Sequence, residues 1–258
     1  VTLEDSQRAT RRVYTVEIVI VLLLSLGQSA VYAIVSLAAK LTATVPLAQQ
    51  TATLNPSRSP RPYLDLTYQL LGVFFDLIPV ALVLYLLFRD HISPTRELGI
   101  DYRRPRFDIG WGFGLAAAIG IPGLLLVYVS LQLGINAQIV PSALAPYWWT
   151  VPVLILSALQ NSIVEEVIVV GYLITRLRNM GLSPLWLITI SAVVRGSYHL
   201  YQGFGAFVGN AVMGVVFALF FLKTKRVMPL IVAHALLDIT AFVGYQLLPD
   251  DWLSWLRV

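Results

Sequence analysis

The chain contains no cysteine. That excludes a disulfide framework, a thiol nucleophile and a cysteine-ligated zinc site. Charge is scarce too. Of 258 residues, 12% are Asp, Glu, Lys or Arg, about half the ~25% of an ordinary soluble domain. No G-x-S-x-G turn offers a serine nucleophile, and no H-E-x-x-H offers a paired zinc site. What the sequence has instead is apolar bulk: 57% hydrophobic residues and a mean hydropathy of +0.75. This composition predicts an integral membrane protein. The net charge of +4 and pI near 9.4 then concern orientation in a bilayer rather than nucleic acid.

A bilayer crossing needs about 20 apolar residues. Seven runs approach that length, so residues 1–258 read as a single integral membrane domain, an all-α polytopic transmembrane helix bundle of about seven spans. The expected spans are Val13–Ala39, Tyr63–Phe88, Ile109–Leu133, Thr150–Leu177, Pro184–Leu200, Phe204–Leu222 and Val227–Leu248. Arg8, Arg11 and Arg12 precede the first run, which is too long for a signal peptide and reads as a retained span. Glu17 is expected at headgroup level. The stretch Arg89–Asp108 is the most charged in the chain and reads as a solvated loop facing lipid headgroups. A short amphipathic tail with Trp252 and Trp255 ends the chain. Counted over the expected loops, 13 Lys and Arg fall on the N-terminal side of the membrane and four on the other. The positive-inside rule then places the N-terminus in the cytoplasm.

Against this background, Glu165 and Glu166 lie side by side within the fourth span. Ionisable residues at membrane depth are costly and usually functional. On a helical wheel, Asn161, Ser162, Glu165 and Glu166 share one arc of about 140°. Ser191, Arg195 and His199 recur at i, i+4 and i+8 in the fifth span, and His234 and Asp238 at i and i+4 in the seventh. Each of the three spans therefore has one polar face, and such faces turn inward in a bundle. Two adjacent carboxylates in low dielectric need a shared proton or a nearby cation. Glutamate can activate water. Histidine can shuttle protons, hold an oxyanion or bind a metal. Glu165, His199 and His234 have the donor types of an open catalytic zinc site.

The motifs Glu165-Glu166-x-x-x-Val170, Arg195-x-x-x-His199 and His234-x-x-x-Asp238, with the run His199-Leu200-Tyr201-Gln202-Gly203, resemble those of the CAAX prenyl endopeptidase and bacteriocin-processing family, also called the Abi family. The resemblance covers about residues 161–241. It implies an intramembrane protease of a bacterial cytoplasmic membrane, acting on a membrane-associated or lipidated peptide or protein. It implies Glu165 as general base beside His199, with Glu166, His234 and Asp238 completing the site or holding a metal; Asn161 and Arg195, on the same polar faces, are expected in support. A divalent metal, zinc by donor type, is one form of the family mechanism and a metal-free glutamate mechanism the other.

Two positions depart from the family pattern. Val170 stands where the family has Arg, and Arg195 stands where Phe is common. We expect Arg195 to supply the missing cation to the glutamate pair across the helix interface. Two other classes of function use the same residues: a non-catalytic immunity or scaffold member of the family, and a proton-coupled carrier. A carrier is expected to show internal pseudo-symmetry and a broken helix, and neither is evident in the sequence.

Overall fold

Proline sets where many of the helices begin. It lacks a backbone donor and holds φ near the helical value, so it suits the first residue of a helix. In the computed structural model, which describes residues 3–248, Pro62, Pro94, Pro105 and Pro184 each occupy that position. The elements in order are α1 (Leu3–Leu23), α2 (Leu26–Leu41), a 3₁₀ turn, β1 (Thr51–Asn55), α3 (Pro62–Asp76), α4 (Ile78–Arg89), α5 (Pro94–Glu97), α6 (Pro105–Gln132), β2 (Gln138–Ser142), α7 (Thr150–Glu165), a π-helical segment (Glu166–Tyr172), α8 (Leu173–Asn179), α9 (Pro184–Ser197), a 3₁₀ turn (Leu200–Gln202), α10 (Phe204–Thr224) and α11 (Met228–Leu247). The architecture is that of an all-α, polytopic membrane bundle. The tail with Trp252 and Trp255 lies outside the described residues.

Two of the seven expected spans depart from a straight crossing. Among the described residues, five helices are long and apolar enough to cross a membrane, or six with the bent α1–α2 pair counted as one span: the five are Pro62–Arg89, Pro105–Gln132, Thr150–Asn179, Phe204–Thr224 and Met228–Leu247. The expected first span is bent by 57° between Leu23 and Leu26. Ser25 Oγ donates to the Val21 carbonyl at 2.7 Å, a back-bond of the kind that bends helices. The expected fifth span, α9, has 14 residues. At ~1.5 Å per residue it reaches about 21 Å, short of a full crossing.

The Thr150–Asn179 helix is the hub. Its most apolar window is 72% buried, against 17–33% for the other four long helices. The sequence suggested one polar stripe with lipid or apolar neighbours elsewhere. In the structure Val167, Ile168, Val169 and Val170 are all at most 1% exposed, because neighbours surround the helix. α11 lies against α6 and α7, and α10 lies against α9. The outer helices carry exposed apolar side chains such as Phe74, Phe75, Ile121 and Leu125, as expected where the solvent is lipid.

A two-stranded parallel pairing, β1 with β2, joins two loops that the sequence left without secondary structure. Just before β2, the Ala137 N–H donates to the Gln202 carbonyl at 2.8 Å, and the Phe204 N–H donates to the Ile135 carbonyl at 2.9 Å. Lys40 Nζ donates to the Tyr201 carbonyl at 2.8 Å and the Thr51 carbonyl at 2.9 Å. These bonds pin the turn after α9, where His199 sits.

Glu17 also differs from its expected headgroup position. It is buried and accepts hydrogen bonds from Arg176 Nε (2.7 Å), Tyr172 Oη (2.7 Å) and Arg89 Nη2 (2.9 Å). Arg176 is itself fully buried and also pairs with Asp90 at 2.9 Å. A charge in such a place must be matched by partners. This cluster fastens α1 to α8 and the end of α4.

Candidate active site

α7 ends at Glu165, and the next seven residues form wider π turns. Such segments are rare and occur often at functional sites. Ser191 Oγ of α9 donates to the Val169 carbonyl within the segment at 3.0 Å. The π turns thereby receive a bond from outside their own helix. They change the helical register between Glu165 and Arg176, so the glutamates face one set of partners and Tyr172 and Arg176 another.

Glu166 is fully buried. Its Oε1 accepts from Arg195 Nη2 at 2.5 Å and is 2.7 Å from His234 Nδ1. Arg195, also fully buried, has its guanidinium 5.3 Å from the Phe217 ring centre, a cation–π arrangement. The cation that Val170 does not supply reaches Glu166 from α9.

Four groups converge on a single oxygen of Glu165. Its Oε2 accepts a hydrogen bond from Tyr198 Oη at 2.7 Å. Arg195 Nη1 lies 3.6 Å away, His199 Nε2 3.9 Å and His234 Nε2 4.0 Å. The last three distances exceed a direct hydrogen bond. His199 Nε2 is buried and has no hydrogen-bond partner among the described residues. Its other nitrogen, Nδ1, is 3.3 Å from Gln202 Nε2.

Asp238 completes the α11 side. Its Oδ1 is 3.7 Å from His234 Nε2, and its Oδ2 accepts from Asn161 Nδ2 at 3.3 Å. Glu165, Glu166, Arg195, His199, His234, Asp238 and Asn161 therefore meet in one cluster drawn from the Thr150–Asn179 helix, α9 with its following turn, and α11. α9 stops at Ser197, and His199 lies just past its end, at the start of the turn that follows.

Sequence reasoning missed Tyr198. A continuing helix points residues i and i+1 about 100° apart, so Tyr198 was not grouped with His199. The helix stops at Ser197, and the turn that follows lets both side chains reach Glu165.

The cluster can place a base, two imidazoles and a guanidinium around one reacting centre. Its donors also suit a divalent ion. Among the described residues, Glu165, Glu166 and His234 have ligand atoms within 4.8 Å of one another, and His199 is outside that group. The Oε1 of Glu166 is already engaged by Arg195 and His234 Nδ1. A carboxylate only accepts, so the His234 proton resides on Nδ1 and, in the neutral ring, Nε2 is the free lone pair. A carboxylate that fixes a histidine tautomer in this way is the usual support for a metal-binding imidazole. Glu166 Oε2 and His199 Nε2 are both buried without a partner among the described residues; Glu166 belongs to the group and fits as its third donor, and His199 Nε2 lies beside it, 3.9 Å from Glu165 Oε2.

The family model of type II CAAX prenyl endopeptidase Rce1-like proteins matches residues 147–240. That segment begins just before α7, ends in α11 and contains every residue of the cluster. The resemblance read from the three motifs is borne out. No curated protein and no solved structure matches the chain.

Proposed function

On the premise of that family match, we propose that the protein is an intramembrane endopeptidase. It hydrolyses a peptide bond of a membrane-associated or lipidated protein or peptide, using water activated by Glu165. The observation that carries this reading is the convergence on Glu165 Oε2 of Tyr198, Arg195, His199 and His234. The separations of 3.6 to 4.0 Å from the last three are compatible with a small bridging group such as water.

In this mechanism Glu165 takes a proton from the attacking water and returns it to the leaving amine. Tyr198 holds the carboxylate in place. His199 and Arg195 present N–H groups toward the charge that develops on the carbonyl oxygen. Glu166 is a positioning residue: it binds Arg195 and fixes His234. Asp238 steadies the far side of His234, and Asn161 steadies Asp238. A zinc ion would be held by Glu165 and His234 with Glu166 as the third donor. When bound, it would polarise the carbonyl and acidify its water. We place the enzyme in a bacterial cytoplasmic membrane on the family resemblance, with its N-terminus in the cytoplasm because Arg8, Arg11 and Arg12 flank the first apolar run.

The test is a cleavage screen of the purified protein in lipid against membrane-anchored peptides, with and without a lipid chain, read by mass spectrometry. The reading predicts discrete cleavage products. If zinc takes part, a chelator suppresses the products and added zinc restores them. Binding of peptides without any cleavage across the screen would instead favour a scaffold.

A further inference from the structure

A second charged site lies at the end of the molecule where α6 begins and α10 ends. A cavity of about 260 Å³ there is lined by Arg96, Arg103, Arg104, Lys225 and Arg226, with Asp101 as the only acid lining it among the described residues. Arg226 is buried and already matched. Its Nε donates to Asp108 at 2.7 Å, and its Nη2 donates to Asp108 at 2.7 Å and to Asp101 at 3.0 Å. Asp101 and Asp108 are thus engaged by one arginine, and Glu97, which also acts on Lys225, pairs with Arg178. Arg96, Arg104 and Lys225 make no ion pair among the described residues, and Arg103 reaches Asp101 only at 4.0 Å with its side chain 78% exposed. The cavity therefore presents an excess of positive charge that the protein does not neutralise.

Its walls are fixed. The Val227 N–H donates to the Leu98 carbonyl at 2.8 Å, joining the two loops. Between them Gly99 adopts φ +60°, and a Cβ there would come within 2.5 Å of the Lys225 carbonyl, so only glycine fits. Lys225 also has positive φ, 55°.

The depth of the cavity follows from its neighbours. Phe107 and Trp111 of α6 and Phe220 of α10 form an aromatic group, with ring centres 5.4 to 6.4 Å apart. Trp111 is half exposed. It lies six residues into α6, about 9 Å along the axis. Aromatic side chains of this kind settle at the boundary between hydrocarbon and headgroups. A cationic cavity just beyond them lies in the phosphate layer.

We propose that this cavity binds the phosphate of an anionic phospholipid headgroup. A free phosphate ion shares the chemistry, but the aromatic group beneath the cavity favours a ligand whose acyl chains continue into the membrane. The site is separate from the glutamate cluster and does not depend on what that cluster does.

The experiment uses the full chain in nanodiscs of equal phosphatidylglycerol and phosphatidylcholine, followed by native mass spectrometry of retained lipid. Basic residues near a membrane surface each contribute about 1 kcal/mol toward anionic lipid. The triple variant Arg96→Gln, Arg103→Gln, Arg104→Gln should therefore reduce phosphatidylglycerol adducts at least ~10-fold. Lys225→Gln should reduce them less, and Arg106→Gln, outside the cavity, should leave them unchanged. An unaltered melting temperature shows that the variants fold. The proposal is overturned by equal retention of both lipids, by undiminished retention in the triple variant, or by an equal loss in Arg106→Gln. It is also overturned if inorganic phosphate binds the cavity while no lipid preference exists.

Discussion

Glu165 and Glu166 are neighbours in sequence with different surroundings. Glu166 is bonded to Arg195 and His234 and has no exposure. Glu165 faces a set of groups with room between them. Tyr198 is the direct anchor of Glu165. Tyr198→Phe removes one hydrogen bond to a charged group, worth about 1.5–3 kcal/mol. Steady-state kinetics should show kcat lowered about tenfold or more, with KM little changed and the fold intact. Arg195→Phe alone leaves the buried Glu166 with His234 as its remaining partner, and breaking a buried ion pair costs about 3–5 kcal/mol. The melting temperature should fall sharply. Adding Val170→Arg returns a cation to the family position and should recover folding and cleavage. A double variant as damaged as the single one would count against the swap. The pairing of Arg195 with Glu166 was legible in the sequence because a missing arginine and an unexplained arginine are each costly at membrane depth. Tyr198 was not legible, because its role depends on where α9 stops.

At the scale of elements, the π segment and the shortened α9 set the site. The sequence marked the polar faces of the three helices correctly, since 3.6-residue periodicity is local. It could not mark seven residues of π helix, because Glu166–Tyr172 has the same apolar composition as an α-helical span. Nor could it mark the early end of α9, since no proline or glycine interrupts the chain between Ser197 and Gly203. The β1–β2 pairing that pins the turn after His199 was equally hidden, as it joins loops more than eighty residues apart. The bond from Ser191 to the Val169 carbonyl is the element-scale contact most open to test. Ser191→Ala should cost about 1 kcal/mol and lower activity by loosening α9 against the π segment. Thermal melting and kcat measured on the same preparation check it. No change in either would mean the π segment is held by its own packing.

Across the whole molecule, the apolar runs made the membrane class and the all-α bundle plain. The number of complete crossings was less plain, since a bent helix and a short one both read as spans by hydropathy. Glu17 illustrates the same limit: its place near the start of an apolar run suggested headgroups, whereas Arg176, distant in sequence, draws it into the protein. The loop beside the basic cavity gives a pH dependence. The Arg226 hydrogen bond to Asp101 holds that carboxyl below its usual pKa of 3.8. With the folded value lower than the unfolded one, the stabilisation is fully present above about pH 4 and disappears as pH falls through the folded value. Asp101→Asn should therefore flatten the acid limb of melting temperature against pH. An unchanged acid limb would place the dependence on other carboxylates.

The central claim is that Glu165 activates the water that cuts a peptide bond. Its most direct test is the rate of product formation from a cleaved membrane peptide by the wild type and by Glu165→Gln at matched melting temperature. The amide keeps the shape of the side chain and removes the base. The account predicts a loss of at least ~100-fold with peptide binding retained. Cleavage by Glu165→Gln at a rate near that of the wild type would contradict it.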